Sequence, residues 1–271
     1  SKGDQPILGN DAETQLTICN GEIYNHKQLA SQFSIPLETG SDCEIIMKLY
    51  KKIGPVQLIK QLDGVFAYII LDDEKDLVIV GRDPFGVRSL YYGYQQDGNL
   101  CFSSELKSLH KICESASIQM FPPGNTLLYN TKTHNQEWHS YYQWKWTPHK
   151  NFQIEGYQHI FRNVRNLLTN AVKKRFMAER PIGCLLSGGL DSSLVASIVA
   201  KYQKELGNRI HTFSIGLQGA TDLQYAKMVA DHIGSIHHEV VVTESEMLAA
   251  IPRVIEQIES YDTTTVRAST P

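Results

Sequence analysis

The stretch Ile182-Gly183-Cys184-Leu185-Leu186-Ser187-Gly188-Gly189-Leu190-Asp191-Ser192-Ser193 sets an apolar run against a Ser-Gly-Gly turn, an acid and two hydroxyls. The helical pattern Leu194, Val195, Ile198, Val199 follows, so the expected order is buried strand, tight loop, helix. Such a loop aims free backbone N–H groups and a helix N-terminus at one point, which suits an anion. Gly188 and Gly189 would let the backbone approach a ligand closely. Ser187, Ser192 and Ser193 add hydroxyl donors. Asp191 would repel a lone anion, and fits if Mg2+ lies between its carboxylate and a phosphate. The loop is therefore read as a pyrophosphate and magnesium site.

Other phosphate and nucleophile loops fit less well. A Walker A loop needs a Gly-Lys-Ser/Thr end, and no Lys stands here. A dinucleotide fingerprint needs three glycines spaced G-x-G-x-x-G. A nucleophile elbow needs G-x-S-x-G, whereas Leu185 and Leu186 precede Ser187. A bare strand-to-helix turn would explain two glycines but not the full S-G-G-x-D-S string. That string resembles the PP-loop of ATP pyrophosphatases, which adenylate a substrate and release pyrophosphate.

The elements that position this loop belong to a chain of 271 residues, long enough for two ordinary domains. With 42% hydrophobic and 20% charged residues, a packed core is expected and disorder is not. The net charge of −3 gives no reason to expect nucleic acid or an anionic membrane as partner. No apolar run reaches the length of a membrane span, and Ser1-Lys2-Gly3-Asp4 does not look like a signal peptide. Cys19, Cys43, Cys101, Cys113 and Cys184 are odd in number and form no C-x-x-C pair. Reduced thiols in a cytoplasmic protein are the expectation, with neither disulfides nor a zinc site.

The first half shows short strand-like runs. Leu16–Cys19 reads as a strand with Asn20-Gly21 as the turn at its end. A short helix is expected over Lys27–Phe33. Ile45, Ile46, Leu49 and Tyr50 recur at helical spacing, with Ser41 or Asp42 as N-cap. Val65–Leu71 and Leu77–Val80 form a hairpin around an acidic turn. Leu90–Tyr94 and Leu100–Ser103 are further strands. Successive antiparallel strands with two helices predict a layered α+β domain.

Five blocks in this half carry a resemblance. Cys19-Asn20-Gly21-Glu22-Ile23-Tyr24-Asn25-His26, Gly40-Ser41-Asp42-Cys43-Glu44, Leu62-Asp63-Gly64-Val65-Phe66-Ala67, Gly81-Arg82-Asp83-Pro84-Phe85-Gly86-Val87-Arg88 and Phe102-Ser103-Ser104-Glu105-Leu106-Lys107 resemble class II glutamine amidotransferase domains. Phe121-Pro122-Pro123-Gly124 fits too. With the PP-loop behind these blocks, the whole chain is similar to the glutamine-hydrolysing asparagine synthetase family.

The resemblance implies an Ntn-hydrolase αββα sandwich, incomplete here, over 1–146. Over 151–271 it implies a parallel-sheet PP-loop domain of the adenine-nucleotide α-hydrolase-like kind, also incomplete. It implies a catalytic oxyanion hole from Asn20 (side chain) and Gly21 (N–H), the two fixed donors that a tetrahedral intermediate needs. Asn20, Gly21, Glu22 and Asp42 would bind glutamine, the two carboxylates taking its ammonium group. Leu185 and Ile215 match positions that hold adenine and ribose. Ser187, Gly188, Gly189, Asp191, Ser192 and Ser193 match the pyrophosphate and Mg2+ loop. Thr264, Thr265 and Arg267 resemble an aspartate-binding segment, Arg pairing bidentately with a carboxylate. Glutamine, aspartate and ATP are the implied partners, and a homodimer is left open.

After an irregular join at Gln143–Lys150, Tyr157–Phe176 has Ile160, Val164, Leu167, Leu168, Ala171 and Val172 on one helix face. Ile210–Leu217 reads as a second strand, a helix capped by Thr221 or Asp222 runs to Gly234, and Ile236–Val242 is a third strand. Strands alternating with helices predict βαβ units and a parallel sheet. Ligands bind at the carboxyl ends of such strands, which puts the loops after Leu186 and Ile215 on one edge. His237-His238 is a poor chelate, since neighbours on a strand face opposite ways.

The stretch from Ser1 matches an internal segment of the family, past its Cys nucleophile. The stretch to Pro271 stops before a second Ser-Gly-Glu-Gly-Ser-Asp-Glu loop and a catalytic Lys. By itself this stretch is therefore expected to be inactive, with half an ATP site. Two alternatives keep the architecture: a lactam-forming synthetase, and a truncated ATP-binding pseudoenzyme. Intact Asn20-Gly21-Glu22 and Asp42, with Thr264-Thr265-x-Arg267, favour asparagine synthesis from aspartate, ATP and glutamine through a β-aspartyl-AMP intermediate.

Overall fold

A computed structural model describes residues 3–143, 157–177 and 180–259 of the chain. The chain forms two compact units, Ser1–Pro148 and His149–Pro271.

In the first unit, alternation of side chains along the strands builds two cores. Strands β1 (Ile7–Leu8), β2 (Gln15–Ile23), β3 (Gly64–Asp72), β4 (Leu77–Arg82), β8 (Asn125–Asn130) and β9 (Gln136–Ser140) form one sheet in that order, antiparallel throughout. Strands β5 (Tyr91–Tyr94), β6 (Leu100–Ser103) and β7 (Gln119–Met120) form a second, in the order β6-β5-β7. Phe66, Tyr68 and Ile70 leave β3 on one face and pack with helices α1 (His26–Gln32), α2 (Glu44–Ile53) and α3 (Pro55–Gln61). Ala67 and Ile69 leave it on the other and pack with Tyr92, Leu100 and Phe102 of the small sheet. Helix α4 (Leu106–His110) packs on β5 and β6. The layers are thus helices, large sheet, small sheet.

The helix read from Ile45, Ile46, Leu49 and Tyr50 is α2, with all four buried. Its cap differs from the expectation. Cys43 is the N-cap residue, with no side-chain cap bond, and Asp42 turns its Oδ2 to the Ile23 N–H at 2.6 Å. Asn20-Gly21 is not a turn but mid-strand, paired with Ala67 and Phe66. Helix α3 follows a Gly54-Pro55 pair that reads as a break, although Pro suits the first helical position.

Glu44 opens α2 almost fully buried. Its carboxylate accepts from the Glu38 N–H (2.8 Å), the Thr39 N–H (2.7 Å) and hydroxyl (2.7 Å), and pairs with Lys48 (2.8 Å). Burial alone would raise its pKa. The bonds from Lys48, Glu38 and Thr39 outweigh that and bring it from 4.5 to about 2. A pKa lowered on folding contributes stability above the unfolded value, lost as pH falls from 4.5 towards about 2. The shift corresponds to about 3 kcal/mol. Glu44→Gln should therefore lower the melting temperature at pH 7 by about 10 °C. The gap to the parent should narrow at pH 3, as followed by circular dichroism.

In the second unit, β10 (Gly183–Leu185), β11 (His211–Leu217) and β12 (Ile236–Val242) form a parallel sheet in chain order. Helix α6 (Leu190–Glu205) links the first two and α7 (Thr221–Ile233) the last two. Ala196 of α6 and Ala226 and Ala230 of α7 bury one sheet face with Leu186 and Cys184. Small residues let the two helices lie close to the sheet. Helix α7 has Ala220 as N-cap, without a side-chain bond, in place of the expected Thr221 or Asp222. It stops at Gly234 in the left-handed conformation. Helix α5 (Tyr157–Lys173) carries the expected apolar stripe, but none of its residues is buried in this unit. Helix α8 (Glu244–Ile258) opens on a capping box, Thr243 with Glu246. No described helix is long and apolar enough to cross a membrane.

Candidate functional site

The second half of strand β2 borders a cleft. A cavity of about 250 Å³ is lined by Gln5, Ile18, Cys19, Asn20, Ala67, Ile69, Leu90, Phe102, Ser103 and Ser104. Ala67, Ile69, Leu90 and Phe102 also belong to the core shared by the two sheets, so the cleft opens between them. Asn20 projects into it, and its Nδ2 donates to Ser104 Oγ at 3.1 Å.

Backbone parity decides what Gly21 can do. Phe66, opposite Gly21, spends both backbone groups on Asp83: its N–H donates to Oδ2 (3.2 Å), and its C=O accepts from the Asp83 N–H (2.8 Å). Gly21 is thus a non-hydrogen-bonded position of the β2–β3 ladder, and its own N–H and C=O face the β1 edge. Its neighbours of the same parity confirm the direction. Cys19 binds the Gln5 carboxamide with both N–H (2.7 Å) and C=O (2.9 Å), and Ile23 donates to Asp42. The Gly21 C=O faces the Cys43 thiol at 3.9 Å. Among the described residues the ladder leaves the Gly21 N–H over. Its φ of +154° and a virtual Cβ 2.1 Å from Val65 O show why only glycine fits.

The structure therefore gathers Asn20, Gly21 and Asp42 at one end of β2. Glu22, paired with Val65, is exposed there. Gln5 and Ser104 are additions; only the position of Ser104 within the quoted Phe102–Lys107 block pointed to it. Cys19 borders the cleft but is no nucleophile. A hydrogen bond to Cys43, burial and the nearby Asp42 carboxylate hold its thiol well above the ordinary range. A thiol kept protonated at neutral pH does not attack.

Asp83 also anchors the loop after β4. Besides Phe66 it accepts from the N–H groups of Phe85 (2.9 Å), Val87 (3.1 Å) and Arg88 (3.2 Å). Buried Arg82 donates to the carbonyls of Arg88, Phe121 and Gly86.

In the second unit the Ser-Gly-Gly loop sits between β10 and α6, as its residue order predicts. The Leu186 N–H donates to Phe213 O at 2.7 Å, tying the loop to β11. Ser187 and Ser192 hydroxyls meet at 2.9 Å, and Ser193 Oγ donates to Gly189 O at 2.6 Å. The hydroxyls thus brace the loop. Gly188 is required for packing in any case. At φ +79°, a Cβ there would lie 2.7 Å from Ala226 N and from Tyr225 Cβ of α7. Asp191 is exposed in the first turn of α6. One carboxylate among hydroxyls is a hard-oxygen donor set, which fits Mg2+ sharing phosphate oxygens.

Leu185 and Ile215 occupy one face of the parallel sheet, since Leu185 pairs with Phe213 and Ile215 lies two residues on. They are 84% and 44% exposed within this unit, so neither is simple core there. His237 and His238 face opposite ways. His237 bonds Thr212 and Ser214, while His238 stacks on Phe213 and meets His211 at 2.8 Å. No group of three or more metal-binding side chains occurs among the described residues. Thr264, Thr265 and Arg267 lie outside the described residues, as do Trp144 and Trp146 of the join.

Residues 1–144 match the glutamine amidotransferase domain family model, and residues 163–271 match the asparagine synthase family model. Over 278 residues the chain is 41% identical to a glutamine-hydrolyzing asparagine synthetase of Triphysaria versicolor and 42% to one of Oryza sativa subsp. japonica. Each alignment covers 100% of this chain but 46% and 45% of the relative. The chain thus spans a little under half the length of the curated relatives it matches. A solved glutamine phosphoribosylpyrophosphate amidotransferase from B. subtilis, complexed with ADP and GMP, aligns at 17% identity and a TM-score of 0.45, over 88% of this chain and 64% of that one.

Proposed function

The chain belongs to the glutamine amidotransferase domain family, and from that premise we propose that the whole protein carrying it makes asparagine from aspartate, ATP and glutamine. The observation that carries this reading is the joining on one chain of an amide-holding cleft, in residues that match one family, to an adenylating loop in residues that match the other. The amidotransferase type 2 domain, an Ntn-hydrolase αββα sandwich, is assigned to 1–146. The synthetase domain is assigned to 151–271.

In the first domain the carbonyl oxygen of the glutamine amide becomes an oxyanion when the carbon is attacked. Asn20 Nδ2 and the Gly21 N–H would be the donors that stabilise it. Asp42 Oδ2 accepts from the Ile23 N–H and Oδ1 faces the Cys43 thiol at 3.8 Å; its carboxylate, with Glu22, would take the substrate's ammonium group. Ammonia is the product.

In the second domain the β-carboxylate of aspartate is a poor electrophile until a leaving group is attached. Its attack on the α-phosphorus of ATP expels pyrophosphate and gives β-aspartyl-AMP. Ammonia then displaces AMP at the acyl carbon. Leu185 and Ile215 offer apolar surface to the adenine and ribose. Ser187, Gly188, Gly189, Ser192 and Ser193 surround the pyrophosphate at the α6 N-terminus. Asp191 would hold Mg2+, which supplies charge neutralisation on the leaving group. Thr264, Thr265 and Arg267 would take the aspartate carboxylate. Five cysteines without a disulfide among the described residues suit the reducing cytoplasm.

Asn20→Ala tests the first half. Glutamine-dependent asparagine formation should fall about a hundredfold, the usual cost of one oxyanion donor, while ammonia-dependent formation stays. Equal loss of both would remove Asn20 from glutamine chemistry.

A further inference from the structure

We propose that Ser104 is a positioning residue that sets the Asn20 carboxamide for the oxyanion, with Gln5 fixing the strand beneath it; this rests on the glutamine-hydrolysing reading above. A carboxamide has one donor end and one acceptor end, and the torsion that exchanges them is broad and roughly two-fold. An asparagine on an open strand face therefore spends part of its time with the wrong end towards a substrate. Only the Nδ2 end stabilises an oxyanion; the Oδ1 end repels it.

Ser104 engages the Nδ2 end. Its Oγ accepts one Nδ2 hydrogen at 3.1 Å, from the loop after β6, 84 residues away in sequence. Among the described residues nothing takes the second Nδ2 hydrogen, which is thus open to the substrate. Ser104 is itself held, since Ser89 Oγ donates to its C=O at 2.7 Å. The Ser103 hydroxyl accepts from the Glu105 N–H at 3.0 Å and stiffens the same turn.

Gln5 does for the backbone what Ser104 does for the side chain. Strand β1 spans only Ile7–Leu8, paired with Thr17 and Leu16. Beyond it, the Gln5 carboxamide replaces a strand, occupying both backbone groups of Cys19 at 2.7 and 2.9 Å. Asn20 thus leaves a backbone pinned one residue earlier and ends in a side chain pinned at its tip. Gln5, Asn20 and Ser104 line one cavity.

The test uses the full-length protein, assayed for glutamine hydrolysis and for ammonia-dependent synthesis, as Ser104→Ala, Ser104→Thr, Asn20→Ala and the Ser104→Ala/Asn20→Ala double variant. Ser104→Ala should lower kcat for glutamine about tenfold, part of the cost of a lost donor, with KM for glutamine within about twofold. Ammonia-dependent synthesis should be unchanged, Ser104→Thr should restore most of kcat, and Ser104→Ala should add nothing to Asn20→Ala. Full kcat in Ser104→Ala beside an impaired Asn20→Ala would overturn the positioning role alone. Loss of both activities in Ser104→Ala would also overturn it, as a folding defect. An unimpaired Asn20→Ala would overturn the oxyanion reading itself.

Discussion

Gly21→Ala should cost about 4 kcal/mol or more, a value reached only where packing or backbone is violated outright. A methyl group there would sit 2.1 Å from Val65 O and 2.6 Å from Phe66 Cα. Both obstacles are backbone of the paired strand, so no rotamer change relieves them. Moving β3 away would break the pairing on which β4 and the helix core rest. Against total stabilities of about 5–15 kcal/mol, the loss should lower the melting temperature of the first unit by more than about 10 °C. Gly54→Ala is the control: its φ is +78° but nothing lies within 4 Å. It carries conformational strain alone, about 1–3 kcal/mol. Circular dichroism melting of the three proteins checks the order. Comparable melting of both variants would refute a steric role for Gly21. Glutamine hydrolysis should be lost in Gly21→Ala even well below its melting temperature, because the N–H left over by the ladder moves with the backbone.

Asp191→Ala should separate function from stability. The residue is exposed in the first turn of α6, so folding loses only a carboxylate–dipole interaction of about 0.5 kcal/mol. Adenylation should lose the group that holds the cation at the departing pyrophosphate. At about 4 kcal/mol of charge stabilisation, ammonia-dependent asparagine formation falls about a thousandfold. Glutamine hydrolysis should persist, because Asp191 belongs to the other unit. Pyrophosphate release and melting temperature, measured on the same preparation, check both halves. Pyrophosphate release within a few-fold of the parent would remove Asp191 from the ATP site.

Legibility in the sequence followed the range of the interactions. The second unit was readable because strand, loop and helix alternate and each boundary is local: Gly234 ends α7, and the Ser-Gly-Gly turn starts α6. Helix α2 was readable from its buried spacing. Asn20-Gly21 was misread as a turn because turn propensity is local, whereas its pairing with Ala67 and Phe66 is not. Asp42 was misread as a cap because the competing acceptor need, the Ile23 N–H, lies 19 residues away. Gly188 was read from its loop alone, whereas the close approach of helix α7, which also demands glycine there, is not local. In the site, Asn20, Gly21 and Asp42 came from quoted blocks and meet at one strand end. Gln5 and Ser104, brought in from the chain's start and from the second sheet, have no spacing that ties them to Asn20.

The full-length protein supplied with ATP, Mg2+ and aspartate, and with either glutamine or ammonia, tests the central claim most directly. Asparagine and pyrophosphate should form in equal amounts from either nitrogen source. Pyrophosphate released without asparagine would contradict it.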